Sequence, residues 1–113
     1  MTENDLSKYF WLAKEIEALE KELGSGRAAH YTMDENIEIT KQREKILSNK
    51  MSEAARELLH IEEYLNEIKD PEIRLILRLR YCMRMTWEAI GDEIFMSPSG
   101  ALRKCMRFLN GKI

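Results

Sequence analysis

A chain of 113 residues is about one domain long, so one hydrophobic core with room for a helical extension is expected, and with 5 Gly, 2 Pro and 34% charged positions its composition favours helix over strand. Its formal net charge of -2 divides unevenly: 10 basic against 16 acidic residues over positions 1–70, and 8 against 4 over 71–113, a basic head on an acidic body that suits contact with a polyanion. Acidic residues interrupt the first 23 positions, which argues against a secretory signal or a membrane span, and Cys82 and Cys105, far apart and among apolar neighbours, read as buried thiols in a reducing cytoplasm.

Leu6, Tyr9, Phe10, Ala13, Ile16, Leu19 and Leu23 recur in steps of three and four, which places them on one stripe of a first helix. Asn4 or Asp5 is the expected cap, and Gly24-Ser25-Gly26 the expected stop. GSGRAAHYTM then reads as a flexible connection of about ten residues, long for a helical pair.

From Asp34 to Lys69 the chain has neither Pro nor Gly. Its second half carries Met51, Ala54, Leu58, Ile61, Leu65 and Ile68 in alternating steps of three and four, a heptad seam. The first half sets Ile37, Ile39, Ile46 and Leu47 among charges, so a broken or frayed helix is expected there. The second helix is longer than the first, so part of its stripe must meet the C-terminal head, a second copy or another protein.

Asp70-Pro71 ends that segment and opens the next, because the residue before Pro is driven out of the helical region while Pro suits the first helical position. PEIRLILRLRYCM follows as one helix, apolar on nearly all sides through Ile73, Leu75, Ile76, Leu77, Leu79 and Cys82. Thr86 caps a short helix, WEAIGDEI, with Ile90 and Ile94 inward. Ser97-Pro98 opens the last one, PSGALRKCMRFLN, which ends near Asn110-Gly111. The expected fold is all-α: a long N-terminal helical hairpin or coiled coil over 1–69, serving association, and a three-helix bundle with a helix-turn-helix over 70–113.

A short helix joined to the last one through Phe95-Met96 and the Ser97 cap has helix-turn-helix spacing. Ala101, Cys105, Phe108 and Leu109 supply the docking face of the last helix, leaving Ser99, Gly100, Arg103, Lys104 and Arg107 on the other. Small residues let a backbone approach a DNA groove, and the cations behind them reach phosphates or guanine edges. The expected DNA-binding set is therefore Ser97, Ser99, Gly100, Arg103, Lys104, Arg107 and Arg84. Arg74, Arg78, Arg80 and Arg84 scatter around their helix, so one or two of them are expected at the nucleic acid, with Arg80 pairing internally with Glu88 or Asp92. Trp87 reads as a packed core aromatic.

The run Asp70, Arg74, Leu77, Arg80, Tyr81, then Trp87, Glu88, Ile90, Gly91 and Ser97 resembles the region-4 module of bacterial sigma factors. It is more similar still to that module in small phage and prophage proteins akin to the ArpU and RinA late-gene regulators, and YFWLAKEIEALEKEL resembles their N-terminal helix. The resemblance implies a transcriptional regulator that binds double-stranded DNA, in contact with RNA polymerase on an alternative reading. It departs at Gly100-Ala101, where the reading helix of these modules carries Thr-Val; an interior Gly costs up to about 1 kcal/mol against Ala and offers no base contact.

Other chemistries find no candidates. His30 and His60 lack a second ligand at metal spacing, no nucleophile sits beside a base, and GSG is not followed by Lys-Ser or Lys-Thr, so no enzyme activity, metal or cofactor is expected. The expectation is a DNA-binding regulator that pairs as a homodimer through its N-terminal helices. Its alternatives are a protein-interaction adaptor and a terminase-small-subunit-like DNA recognition protein.

Overall fold

The computed structural model describes residues 1–24 and 34–111. Arg27, His30 and Lys112 lie outside them, as does the connection from Ser25 to Met33. Among the described residues the fold is all-α: α1 (Glu3–Gly24), α2 (Asp34–Glu67), α3 (Pro71–Leu77), α4 (Trp87–Ile94) and α5 (Pro98–Leu109). A long α1–α2 hairpin precedes smaller helices that pack together. Among the described residues no helix is long and apolar enough to cross a membrane.

The start of α1 is set by Thr2, not by Asn4 or Asp5. Thr2 Oγ1 accepts from the Asp5 amide (3.2 Å) while the Asp5 carboxylate accepts from the Thr2 amide (3.0 Å), a reciprocal cap that satisfies both orphan donors. Those hydrogen bonds also hold the Asp5 carboxyl below its ordinary value.

The first half of α2, expected to be broken, is continuous helix from Asp34. The seam does not end at Met51; it runs back through half-buried Leu47, Arg43 and Thr40. Arg43 keeps this polar stretch in place by pairing with Glu22 of α1. The step from Leu47 to Met51 is a second consecutive four, a stutter that locally relaxes supercoiling.

The chain divides into two compact units, one of residues 1–10 with 59–113 and one of 11–58. In the second unit Ala54 is the buried apolar residue, and the rest of its seam is half-buried. The first unit holds the core: Leu6, Ile61, Leu65, Ile68, Ile73, Ile76, Leu77, Leu79, Tyr81, Ile90, Ala101 and Cys105 are all buried. Residues 59–69 and the start of α1 thus belong to the same compact unit as the C-terminal helices.

Asp70 caps α3 by accepting from the Glu72 and Ile73 amides, with Pro71 in the first turn. The expected single helix PEIRLILRLRYCM is interrupted. After Leu77 the backbone widens into a π-helical turn over Arg78–Cys82, and the Met83 amide donates to the Arg78 carbonyl (3.0 Å). The widening accompanies a run in which Ile76, Leu77, Leu79 and Tyr81 are all buried, a spread that one face of a regular helix cannot supply. Cys82 is half-buried and Cys105 buried, both as free thiols; burial pushes Cys82 up to about 11.

Candidate nucleic-acid interface

Two short helices and a tight turn build the candidate surface. Thr86 caps α4 by accepting from the Ala89 amide (3.1 Å). The helix stops at Phe95, whose backbone is left-handed (φ 57°, ψ 46°), and the Met96 amide closes the turn onto the Gly91 carbonyl (2.9 Å). Ser97 then caps α5 by accepting from the Gly100 amide (3.0 Å), and Pro98 fills the first helical position.

Gly91 is what lets this turn close. A Cβ on it would lie 2.3 Å from the Met96 carbonyl oxygen and 3.3 Å from the Pro98 nitrogen, both backbone atoms that cannot swing aside. Beneath the turn Leu79, Ile90 and Ala101 are buried together, with Met85, Trp87, Ile94 and Met96 packed against them. Trp87 is thus a half-buried packing residue, and Arg80 lies over its ring (4.7 Å to the centroid).

The expected site residues separate into two groups. Ser99, Arg103 and Arg107 are exposed and follow one another at one-turn spacing along α5. Among the described residues Arg103 and Arg107 make no ion pair. Leu102, which the sequence reading did not single out, is also exposed, on the flank of this stripe.

The remaining expected contacts are committed elsewhere. Lys104 sits toward α3 and pairs with Glu72 (2.8 Å), which raises its pKa. Arg84 is exposed, takes a left-handed backbone (φ 55°) and lies over the Phe10 ring, 5.0 Å from its centroid. Gly100 is half-buried, and a Cβ there would meet Ser97 Oγ at 2.8 Å and Met96 Cγ at 3.4 Å, so its small size serves the cap and the turn. The Ser97 hydroxyl is exposed while capping.

The other arginines of the basic head also have internal partners. Arg74 donates to the Ile68 carbonyl (2.8 Å), and Arg78 grips Glu62 through both its terminal nitrogens (2.8 and 3.2 Å). Tyr9 completes that cluster by donating to Glu62, whose carboxyl is held below its ordinary value chiefly by Arg78. Arg80 donates to the Met85 carbonyl (2.9 Å), not to Glu88 or Asp92. An i, i+4 spacing on paper could not reveal this, because each partner belongs to another element or lies beyond the π-turn.

Glu88, Asp92 and Glu93 are consequently left exposed on α4, which carries no basic residue. The two helices of the turn differ in sign: α4 is acidic, and α5 has no acid at all. Comparison with protein-family models, curated proteins and solved structures finds no match. No cluster of three His, Cys, Asp or Glu side chains that could hold a metal occurs among the described residues. A hollow of about 370 Å³ lined by Glu62, Asn66, Pro71, Arg74, Leu75 and Arg78 has both its arginines already engaged.

Proposed function

We propose that the protein binds duplex DNA by laying α5 in the major groove, as a regulator of the phage or prophage type, with two copies paired through their N-terminal helices. The observation that carries this reading is the stripe of Ser99, Arg103 and Arg107, exposed along a helix that has no acidic residue. A helix of 12 residues is about 18 Å long and fits the major groove end-on or obliquely. Arginines one turn apart then reach successive phosphates or a guanine edge. The exposed acids of α4 orient the approach, because Glu88, Asp92 and Glu93 must face away from the phosphates.

Pairing follows from economy: a single small head buries roughly 600–1,000 Å² on DNA, which rarely gives tight specific binding. Fluorescence anisotropy with a labelled duplex at low salt tests the reading. Binding that disappears in the Arg103→Ala/Arg107→Ala protein, with its melting temperature intact, supports it; unchanged binding in that variant defeats it.

A second reading, a protein-contacting adaptor, is favoured by Phe95. This residue is 96% exposed and follows directly on the acidic face of α4. An aromatic ring beside carboxylates suits a basic partner surface with an apolar pocket. Absence of duplex binding by the wild type at low salt would select this alternative.

A further inference from the structure

We propose that α2 carries a self-pairing face centred on Ile39 and Ile46, where the α2 of a second copy packs antiparallel and Glu38 of each chain meets Lys45 of the other. This names the surface behind the pairing proposed above and rests on it.

Ile39 and Ile46 are each 55% exposed and lie seven residues apart, on one stripe of α2 two turns in length. They adjoin the half-buried seam of Thr40, Arg43 and Leu47 without being covered by it. Between them Gln42 is exposed and donates to Glu38 (3.4 Å). β-branched apolar side chains at heptad spacing, left on the surface of a long helix, suit a helical partner.

The flanking charges select which partner and which direction. Glu38 and Lys45 occupy the positions immediately before the two isoleucines, both are exposed, and neither pairs with another described acidic or basic side chain. Parallel, in-register pairing of two copies would set Glu38 against Glu38 and Lys45 against Lys45. Antiparallel pairing about a twofold axis near Gln42 sets each Glu38 against a Lys45 and each Ile39 beside an Ile46. A stripe that complements its own reverse is what an isologous twofold contact requires. The face is small beside a standard interface of roughly 1,600 Å², so it gives a weak dimer that two heads on one duplex would reinforce.

Sedimentation equilibrium of the full chain tests the proposal. Glu38→Lys and Lys45→Glu should each weaken the dimer by about tenfold or more through like-charge contact, and the two together should restore it. Gln42→Cys should form an intermolecular disulfide under mild oxidation, whereas Glu53→Cys, farther along the same stripe, should not. All four positions are surface residues, so the melting temperature serves as the control for folding. A dimer indifferent to these charges and to Ile39→Lys/Ile46→Lys would overturn the face while leaving pairing intact. A wild type monomeric at all concentrations would overturn pairing itself. DNA binding by the head is read separately, through Arg103 and Arg107.

Discussion

The sharpest quantitative consequence concerns the salt dependence of DNA binding. Counted from the sequence, the head carries 8 basic residues, and if each displaced a counterion the slope of log affinity against log salt would be about -7. In the folded protein Arg74, Arg78, Arg80, Arg84 and Lys104 have internal partners, which leaves Arg103 and Arg107 as the described cations of the head without one. Each neutralised phosphate contributes about -0.9, so these two arginines give a slope near -1.8 for one head and near -3.6 for two, to which Lys112, outside the described residues, can add at most about -0.9 per head. Between about 50 and 200 mM salt, affinity then falls roughly 12-fold for one head and roughly 150-fold for two. Anisotropy titrations on a duplex of about 30 base pairs, long enough for two half-sites a helical turn apart, measure this directly. Arg103→Ala and Arg107→Ala alone should each make the slope shallower by about 0.9 per head, and Lys104→Ala should keep the wild-type slope. A wild-type slope steeper than about -6 would refute the reasoning, since it would require internally paired arginines to let go of their partners.

Other outcomes concern the scaffold. Gly91→Ala should destabilise by about 2–3 kcal/mol, because the new methyl meets backbone at the turn; thermal unfolding checks this, and an unchanged melting temperature would mean the turn has room. Phe95→Gly should stabilise by up to about 1 kcal/mol by relieving a left-handed aromatic residue, while abolishing any contact with a basic protein partner; a loss of stability would show that the ring is packed. Glu62 has its carboxyl depressed below 4.5 by Arg78, so the stability from this cluster is complete above that value and lost as the pH falls through the lower folded value. Glu62→Gln should therefore flatten the acid limb of stability below about pH 5 and lower stability at neutral pH by about 1 kcal/mol, a modest figure because the pair is one-third exposed to screening water.

Much of the architecture is written locally. Thr86 and Ser97 are caps in sequence and in structure, Asp70-Pro71 separates α2 from α3, and the seam of Ala54, Ile61, Leu65 and Ile68 is buried as its spacing implies. These features depend on neighbours within about one helical turn, so the order of residues is enough to read them. The candidate face on α5 was legible in part: Ser99, Arg103 and Arg107 point outward because Ala101 and Cys105 must point inward.

What the order of residues could not supply was the assignment of partners. Lys104 and Arg107 are alike on paper, and only the arrival of Glu72 from α3 removes one of them from the surface. Arg84 reads as a groove contact until Phe10, distant in the chain, is brought beneath it. Gly91 looks like a weak helix residue until the Met96 carbonyl closes over it. Residue order was enough to place the long helices, the Asp70, Thr86 and Ser97 caps and the apolar stripes, since these follow from steric preferences and periodicity within a segment. Which charges remain outside was settled only by the fold, because a direct ion pair needs its two groups within about 4 Å, and for Lys104 and Glu72 it is the packing of α5 on α3 that brings them together.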